Sequence, residues 1–172
     1  YFTNLAFYLV FLAYNRFRFY FYTKEQEVLL GLGIAVLVLV ADQLSKLYVA
    51  GHLLNGRGVI MVGDYFNIVT AWNTGVSFSM FNNRGIWGTI CLSLIAVSIV
   101  AYLLYWLTKE KKPLIQVSLG FIIGGALGNV VDRVRLGAVF DFLDVHVGEH
   151  HWPAFNLADS FICIGAFLII AD

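Results

Sequence analysis

Apolar residues in this chain fall into four blocks, separated by polar, glycine-rich or charged stretches. The first block, about Val28 to Val49, has an uncharged core from Leu29 to Ala41. The second, about Ile86 to Leu107, carries no charge and has the roughly 20 residues a helix needs to cross a bilayer. The third runs from about Leu114 to Val131, and the fourth from near Asn156 to Asp172. This pattern predicts four spanning or near-spanning helices. The fourth is short, and the sequence is expected to stop inside or just after it.

Between the first two blocks the period changes. Val59-Ile60-Met61-Val62 and Tyr65-Phe66-Asn67-Ile68-Val69 are strand-like runs parted by Gly63-Asp64, which predicts a small sheet lying on the membrane surface. Trp72, Phe78 and Phe81 are placed to dip into the interface, where aromatic side chains concentrate. Residues 1–24 form a separate N-terminal segment rich in aromatic and basic residues. It is too short in its uncharged part to span. An interfacial helix is the plain reading; an extra spanning helix or a non-native extension are the alternatives. Residues 25–172 form one domain, with an outer sheet region at about 50–81 and an outer loop at about 133–155.

Composition agrees with a bilayer. The chain is 60% hydrophobic, against roughly 45–50% in a soluble domain, and its mean hydropathy is +0.79. The formal net charge is zero, so no bulk attraction to nucleic acid is implied, and no nucleic-acid motif is present. Cys91 and Cys163 sit inside apolar runs and read as small packing residues. The first apolar run reads as retained rather than processed. Lys109, Lys111 and Lys112 between helices two and three, with Arg16, Arg18 and Lys24 before helix one, put those regions in the cytoplasm by the positive-inside rule. Asp42, Asp141 and Asp159 then lie toward the outer side.

The chemistry is carried by carboxylates beside these helices. Charged groups at membrane depth are costly and mark functional sites by default. Asp42 and Lys46 are four apart and share a helix face; a solvated helix-end pair and an anchor for another polar group both fit. Gly120, Gly124 and Gly128 form a small-residue stripe for close helix contact. Asn129 and Asp132 follow on one face, with Arg133 adjacent, and Asp132 reads as part of a structural network, with catalysis as the alternative. Asp141 is flanked by Phe140 and Phe142, which desolvate its carboxyl and favour the protonated form. Asp144 competes with it for the same role. Asn156 and Asp159 are three apart at the start of the fourth helix, where capping and catalysis are both open on spacing alone. Asn73-Thr74-Gly75 reads as a turn. His146, Glu149, His150 and His151 lack a His-Glu-x-x-His pattern and read as a surface loop rather than a metal site.

Taken in order, these motifs resemble one family. Asp42-Gln43-x-Ser45-Lys46, Asn73-x-Gly75-x-Ser77-Phe78, Gly124-Gly125-Ala126-x-Gly128-Asn129-x-x-Asp132-Arg133, Gly137-x-Val139-x-Asp141-Phe142 and Phe155-Asn156-x-Ala158-Asp159 are together similar to the bacterial lipoprotein signal peptidases, or signal peptidase II. The match runs from about Asp42 to Phe167. The resemblance implies an all-α membrane protein: four transmembrane helices, a small extracytoplasmic β-sheet cradle, and an outer loop or short helix. It implies an aspartic endopeptidase of the bacterial inner membrane, a hydrolase with its active site toward the periplasm. Such an enzyme removes the signal peptide from a diacylglyceryl-modified prolipoprotein, cutting before the lipidated cysteine. It implies Asp141 and Asp159 as the catalytic dyad. Asp42, Lys46, Asn73, Gly75, Asn129, Arg133, Asn156 and Ala158 are implied as site-supporting positions. No metal or organic cofactor is required, the other partners are membrane lipids, and a monomer is expected.

Two other classes compete with a protease. Intramembrane carboxylates relay protons in transporters, although paired interrupted helices and internal repeats, which mark many transporters, are not evident in the sequence. A membrane scaffold with structural charges is the third reading.

Overall fold

The computed structural model describes residues 28–75 and 85–172. The expectations for the N-terminal segment, Ser77, Phe78 and Phe81 lie outside those residues. The described elements are α1 (Val28–Leu54), β1 (Val59–Gly63), β2 (Phe66–Asn73), α2 (Gly85–Leu107), α3 (Pro113–Leu136), β3 (Val139–Val147), β4 (His150–His151) and α4 (Leu157–Ala171). The chain is mostly helical, with one small antiparallel sheet in the order β1-β2-β3-β4.

Helices α1, α2 and α3 are long and apolar enough to cross a membrane; α4 is apolar but has 15 residues, about 22 Å of helix. Two helices run past their expected ends. The last six residues of α1, Val49–Leu54, wind as a π-helix that stops at Asn55 in the left-handed conformation. Pro113 opens α3, where its missing N–H costs nothing, and the helix stops at Gly137, with φ +77°. Gly137 donates its N–H to Arg133 O at 3.1 Å, a left-handed glycine cap.

The helices meet through residues without side chains. A Cβ on Gly120 would lie 2.6 Å from Gly31 O of α1, one on Gly125 2.5 Å from Ala158 O of α4, and one on Gly165 2.6 Å from Ser118 O of α3. Such close backbone approach is what small residues permit where lipid removes the hydrophobic drive between helices. Leu107, Leu119 and Ile123 are buried at the centre of the bundle with Ala35 and Val100. Apolar side chains on the other faces point outward: Leu37 is 66% exposed and Ile170 85%, as a surface in contact with lipid requires.

The outer region from 133 to 155 departs from its expectation as a loop. Its first residues complete α3, and Val139–Val147 adds a third long strand to the sheet. Phe142 and Leu143 donate their N–H groups to Phe155 O, and Phe155 returns one to Leu143 O at 3.0 Å. The reason for the strand is pairing: β3 lies against β2 with Trp72 opposite Phe140 and Ala71 opposite Asp141. Phe140 and Phe142 also join Val49 and Leu54 in a second core that seats the sheet on the end of α1. Among the described residues there is no separate short outer helix.

Alternation of the helices puts the C-terminal ends of α1 and α3 and the N-terminal end of α4 on the sheet side. The 108–112 turn lies at the other end, where Lys112 pairs with Asp172. Asn156, the cap of α4, hydrogen-bonds Asn129, whereas α3 continues to Leu136. The start of α4 is therefore recessed about 10 Å below the end of α3.

Candidate active site

Asp141 reaches this recess from β3, and Asp159 from the first turn of α4. The local sequence dictates both placements. Asn156 sits at the N-cap with extended backbone; its Oδ1 accepts the Asp159 N–H at 3.0 Å, and Asp159 Oδ2 accepts the Asn156 N–H at 3.2 Å. This is a reciprocal capping box. It leaves Asp159 Oδ1 free of the helix end, and Asn129 Nδ2 donates to that oxygen at 2.7 Å.

Asp141 is almost fully buried, at 1% exposure. Asn156 Nδ2 donates to its Oδ1 at 2.7 Å, and Asn73 Nδ2 to its Oδ2 at 3.0 Å. Burial pushes its carboxyl above the ordinary carboxylate range. The Asn73 amide pulls it back, the charge of Asp159 pushes it up again, and Asn156 and Lys46 oppose the rise. Desolvation and a neighbouring like charge both favour the neutral acid.

Asn129 and Asn156 join the two aspartates. Asn156 Nδ2 also donates to Asn129 Oδ1 at 3.0 Å, and Lys46 Nζ donates to the same oxygen at 3.2 Å. Lys46 is itself 2.8 Å from Asp42 and 2.8 Å from Asp132, all three buried. The Asp42–Lys46 pair is thus an anchor at the floor of the site, not a solvated helix-end pair. Asp42 Oδ1 accepts the Ala158 N–H at 3.0 Å. A Cβ on Gly128 would stand 2.5 Å from Asp42 Oδ2, so Gly128 leaves room for this carboxylate.

Of the expected site residues, Asp141, Asp159, Asp42, Lys46, Asn73, Asn129, Asn156 and the Ala158 backbone form one hydrogen-bonded cluster. Gly75 lies at its edge: its N–H donates to Asn73 Oδ1 at 2.8 Å, and its φ of +85° favours glycine. A Cβ there would also strike Leu92. Arg133 touches neither aspartate. Its Nη1 is 3.5 Å from Asn129 O, and its buried Nε has no hydrogen-bond partner among the described residues.

Asp144 is kept apart from the cluster. It is three residues along β3 from Asp141, and an odd step in a strand points to the other face. There Asn67 Nδ2 donates to it at 2.9 Å, and His151 Nδ1 lies 2.9 and 3.0 Å from its two oxygens. Burial pushes the Asp144 carboxyl up, but the Asn67 and His151 contacts outweigh it and hold the group below the usual range. His146 stacks on His151 at 4.8 Å.

Sequence reading missed one member of the network as a contact to the site. Gln43 Nε2 lies 3.2 Å from Asp42 Oδ2, 3.0 Å from Asp132 Oδ1 and 3.2 Å from Gly128 O. The adjacent Asp42 is the only local signal for it, since its other partners, Gly128, Asp132 and Arg135, lie more than 80 residues away.

Known proteins with similar sequence share this architecture. Residues 34–172 match the family described as signal peptidase (SPase) II. The chain is 44% identical over 133 residues to the lipoprotein signal peptidase of Anaplasma phagocytophilum, covering 77% of this chain and 84% of that one. It is 45% identical over 135 residues to the lipoprotein signal peptidase of Shewanella loihica, covering 77% and 79%. Two solved structures of bacterial membrane enzymes, obtained by the in meso method at 2.3 Å and 1.9 Å, superpose with TM-scores of 0.67 and 0.69. They are 31% and 30% identical to this chain, covering 82% of it in each case and 85% and 90% of their own chains. With the family matched over most of its length, the chain is a membrane peptidase belonging to the signal peptidase II family.

Proposed function

We propose that this peptidase removes the signal peptide from diacylglyceryl-modified prolipoproteins, cutting before the lipidated cysteine, with Asp141 and Asp159 as an aspartic dyad. The observation that carries the reading is the Asn156 side chain. Its Nδ2 donates to the Asp141 carboxyl and its Oδ1 accepts the Asp159 N–H, while the Asn156 backbone N–H donates to the Asp159 carboxyl, so one residue meets two carboxyls from different elements at one recess.

At working pH the pair holds one proton between two carboxyls, as close carboxylates do. The ionised carboxylate takes a proton from water, and the oxygen so released attacks the scissile carbonyl carbon. The protonated carboxyl hydrogen-bonds the carbonyl oxygen. As the C–N bond breaks, a proton passes to the leaving amine. Asn73 and Asn156 orient Asp141, and Asn129 orients Asp159. Arg133, whose Nη2 would stand 3.7 Å from a Cβ at Gly75, meets the substrate backbone on this reading.

The recess suits a lipid-bearing substrate, since acyl chains can stay in the bilayer while the peptide bond enters a polar pocket. The site and the lysine-rich 108–112 turn lie at opposite ends of the bundle. With the positive-inside rule, this supports a site on the periplasmic face of the inner membrane. On this reading α4 is the fourth membrane helix, packed along α3 from the Asn129 level to Lys112, and the enzyme works as a monomer without a cofactor.

A gel-shift assay tests this. Purified protein is mixed with a diacylglyceryl-modified prolipoprotein and, in parallel, with its unlipidated form. Cleavage that depends on the lipid supports the reading. No cleavage by folded protein contradicts it.

A further inference from the structure

We propose that Asp132 is a positioning residue for this reaction. It does for Asp141 what Asp42 does for Asp159, and Lys46 ties the two into one spacer for the pair. The inference rests on the aspartic-dyad reading and adds a residue to it.

The two buried carboxylates make matching contacts. Asp42 Oδ1 accepts the N–H of Ala158 at 3.0 Å, and Ala158 immediately precedes Asp159. Asp132 Oδ2 accepts the N–H of Phe140 at 3.2 Å, and Phe140 immediately precedes Asp141. Lys46 Nζ lies 2.8 Å from Asp42 Oδ2 and 2.8 Å from Asp132 Oδ2. Its third donor goes to Asn129 Oδ1, and an ammonium has only three. Gln43 closes the other side through Asp42 Oδ2 and Asp132 Oδ1. Every residue that carries a dyad carboxyl is thus gripped, one position upstream, by a carboxylate on the same lysine.

Asp132 is unsuited to a direct part in the chemistry. It is 3% exposed, and its oxygens are occupied by Lys46, Gln43 and Phe140. Nor is the network easily explained as stability alone, because a buried ion cluster is often matched or exceeded by apolar packing of the same volume. A fully satisfied buried network does fix geometry. Two carboxyls that share a proton depend on that geometry, since a displacement of about 1 Å can lower a rate by about 10²-fold.

The test uses the full chain, purified in detergent, as wild type and Asp132→Asn, with a diacylglyceryl-modified prolipoprotein as substrate. The kcat, KM and pH profile of kcat/KM are measured per folded molecule. The expected result is a kcat lower by about 10²-fold, a KM changed little, and a changed separation between the acid and alkaline limbs. The limbs respond because the spacing of coupled carboxyls sets how far apart they titrate. A residue with a merely structural role would lower the yield of folded enzyme and leave kcat and the profile as they were, which would overturn the proposal. Should Asp132→Asn fail to fold, Gln43→Leu decides: it leaves both carboxylates in place and removes the amide that joins them, together with its contacts to Gly128 O and Arg135. A smaller loss of kcat with the limbs displaced supports the proposal, and an unchanged profile overturns it. Absence of cleavage by wild type refutes the functional reading, and the role of Asp132 falls with it. Cleavage by wild type with an unaltered variant refutes the positioning role alone.

Discussion

Asn129 and Asn156 bond to each other at 3.0 Å, and each turns an amide N–H to a different aspartate: Asn156 to Asp141, Asn129 to Asp159. Their orientations are fixed by their partners. Asn129 Oδ1 accepts from both Lys46 and Asn156, so its amide nitrogen must face Asp159. Asn156 Oδ1 accepts the Asp159 N–H, so its nitrogen must face Asp141.

Asn156 has two tasks that one substitution separates. Serine caps a helix about as well as asparagine, but it cannot reach Asp141 or Asn129. Asn156→Ser should therefore keep the cap and lose about 1–3 kcal/mol of stability through the buried bonds to Asp141 and Asn129, while kcat falls by about 10²-fold through loss of the bridge. Melting in detergent and cleavage rate, measured on the same preparation, check this. A folded variant that cleaves at the wild-type rate would sink it.

Asp144 provides the opposite case. Asp144→Ala leaves the Asn67 amide without its acceptor and removes the His151 contact, which should cost about 1–3 kcal/mol of stability. Cleavage per folded molecule should stay within a few-fold of wild type, because the side chain faces away from the recess. A loss of kcat as large as that of Asp141→Asn would show the two carboxyls to be wrongly assigned.

The dyad reading requires a bell-shaped dependence of kcat/KM on pH. Burial raises the Asp141 carboxyl, so the alkaline limb should lie above the ordinary aspartate value of about 3.9. The pair titrates as a unit. The Asn73 amide opposes the rise, so Asn73→Ala should move the alkaline limb to higher pH. A limb that moves down, or stays in place, would contradict the role given to Asn73. Linkage has the same sign. A carboxyl whose folded value is raised contributes most to stability below its unfolded value, and that contribution is lost as pH rises through the folded value.

Local periodicity made much of this fold legible. The apolar blocks gave the three long helices and α4, and alternation with Gly63-Asp64 gave β1 and β2. Strand β3 was not legible, because Val139–Val147 mixes apolar residues with two aspartates and becomes a strand by pairing with β2. The four-residue spacing of Asp42 and Lys46 foretold their contact, but nothing local foretold that Lys46 would also bind Asp132 and Asn129, more than 80 residues away. Spacing alone leaves Asp159 open between capping and catalysis, and its geometry is compatible with both: one oxygen closes the helix end while the other faces Asn129. Asp141 and Asp144 could not be told apart on flanking residues, yet the pairing of β3 turns them to opposite faces.

The most direct test of the account is the single-turnover cleavage rate of Asp141→Asn and Asp159→Asn, each purified, folded and mixed in excess with the lipidated prolipoprotein. Asparagine keeps the shape of each side chain and removes its ability to exchange a proton. Each substitution should lower the rate per folded molecule by about 10²–10⁴-fold. Wild-type rates in either folded variant would contradict it.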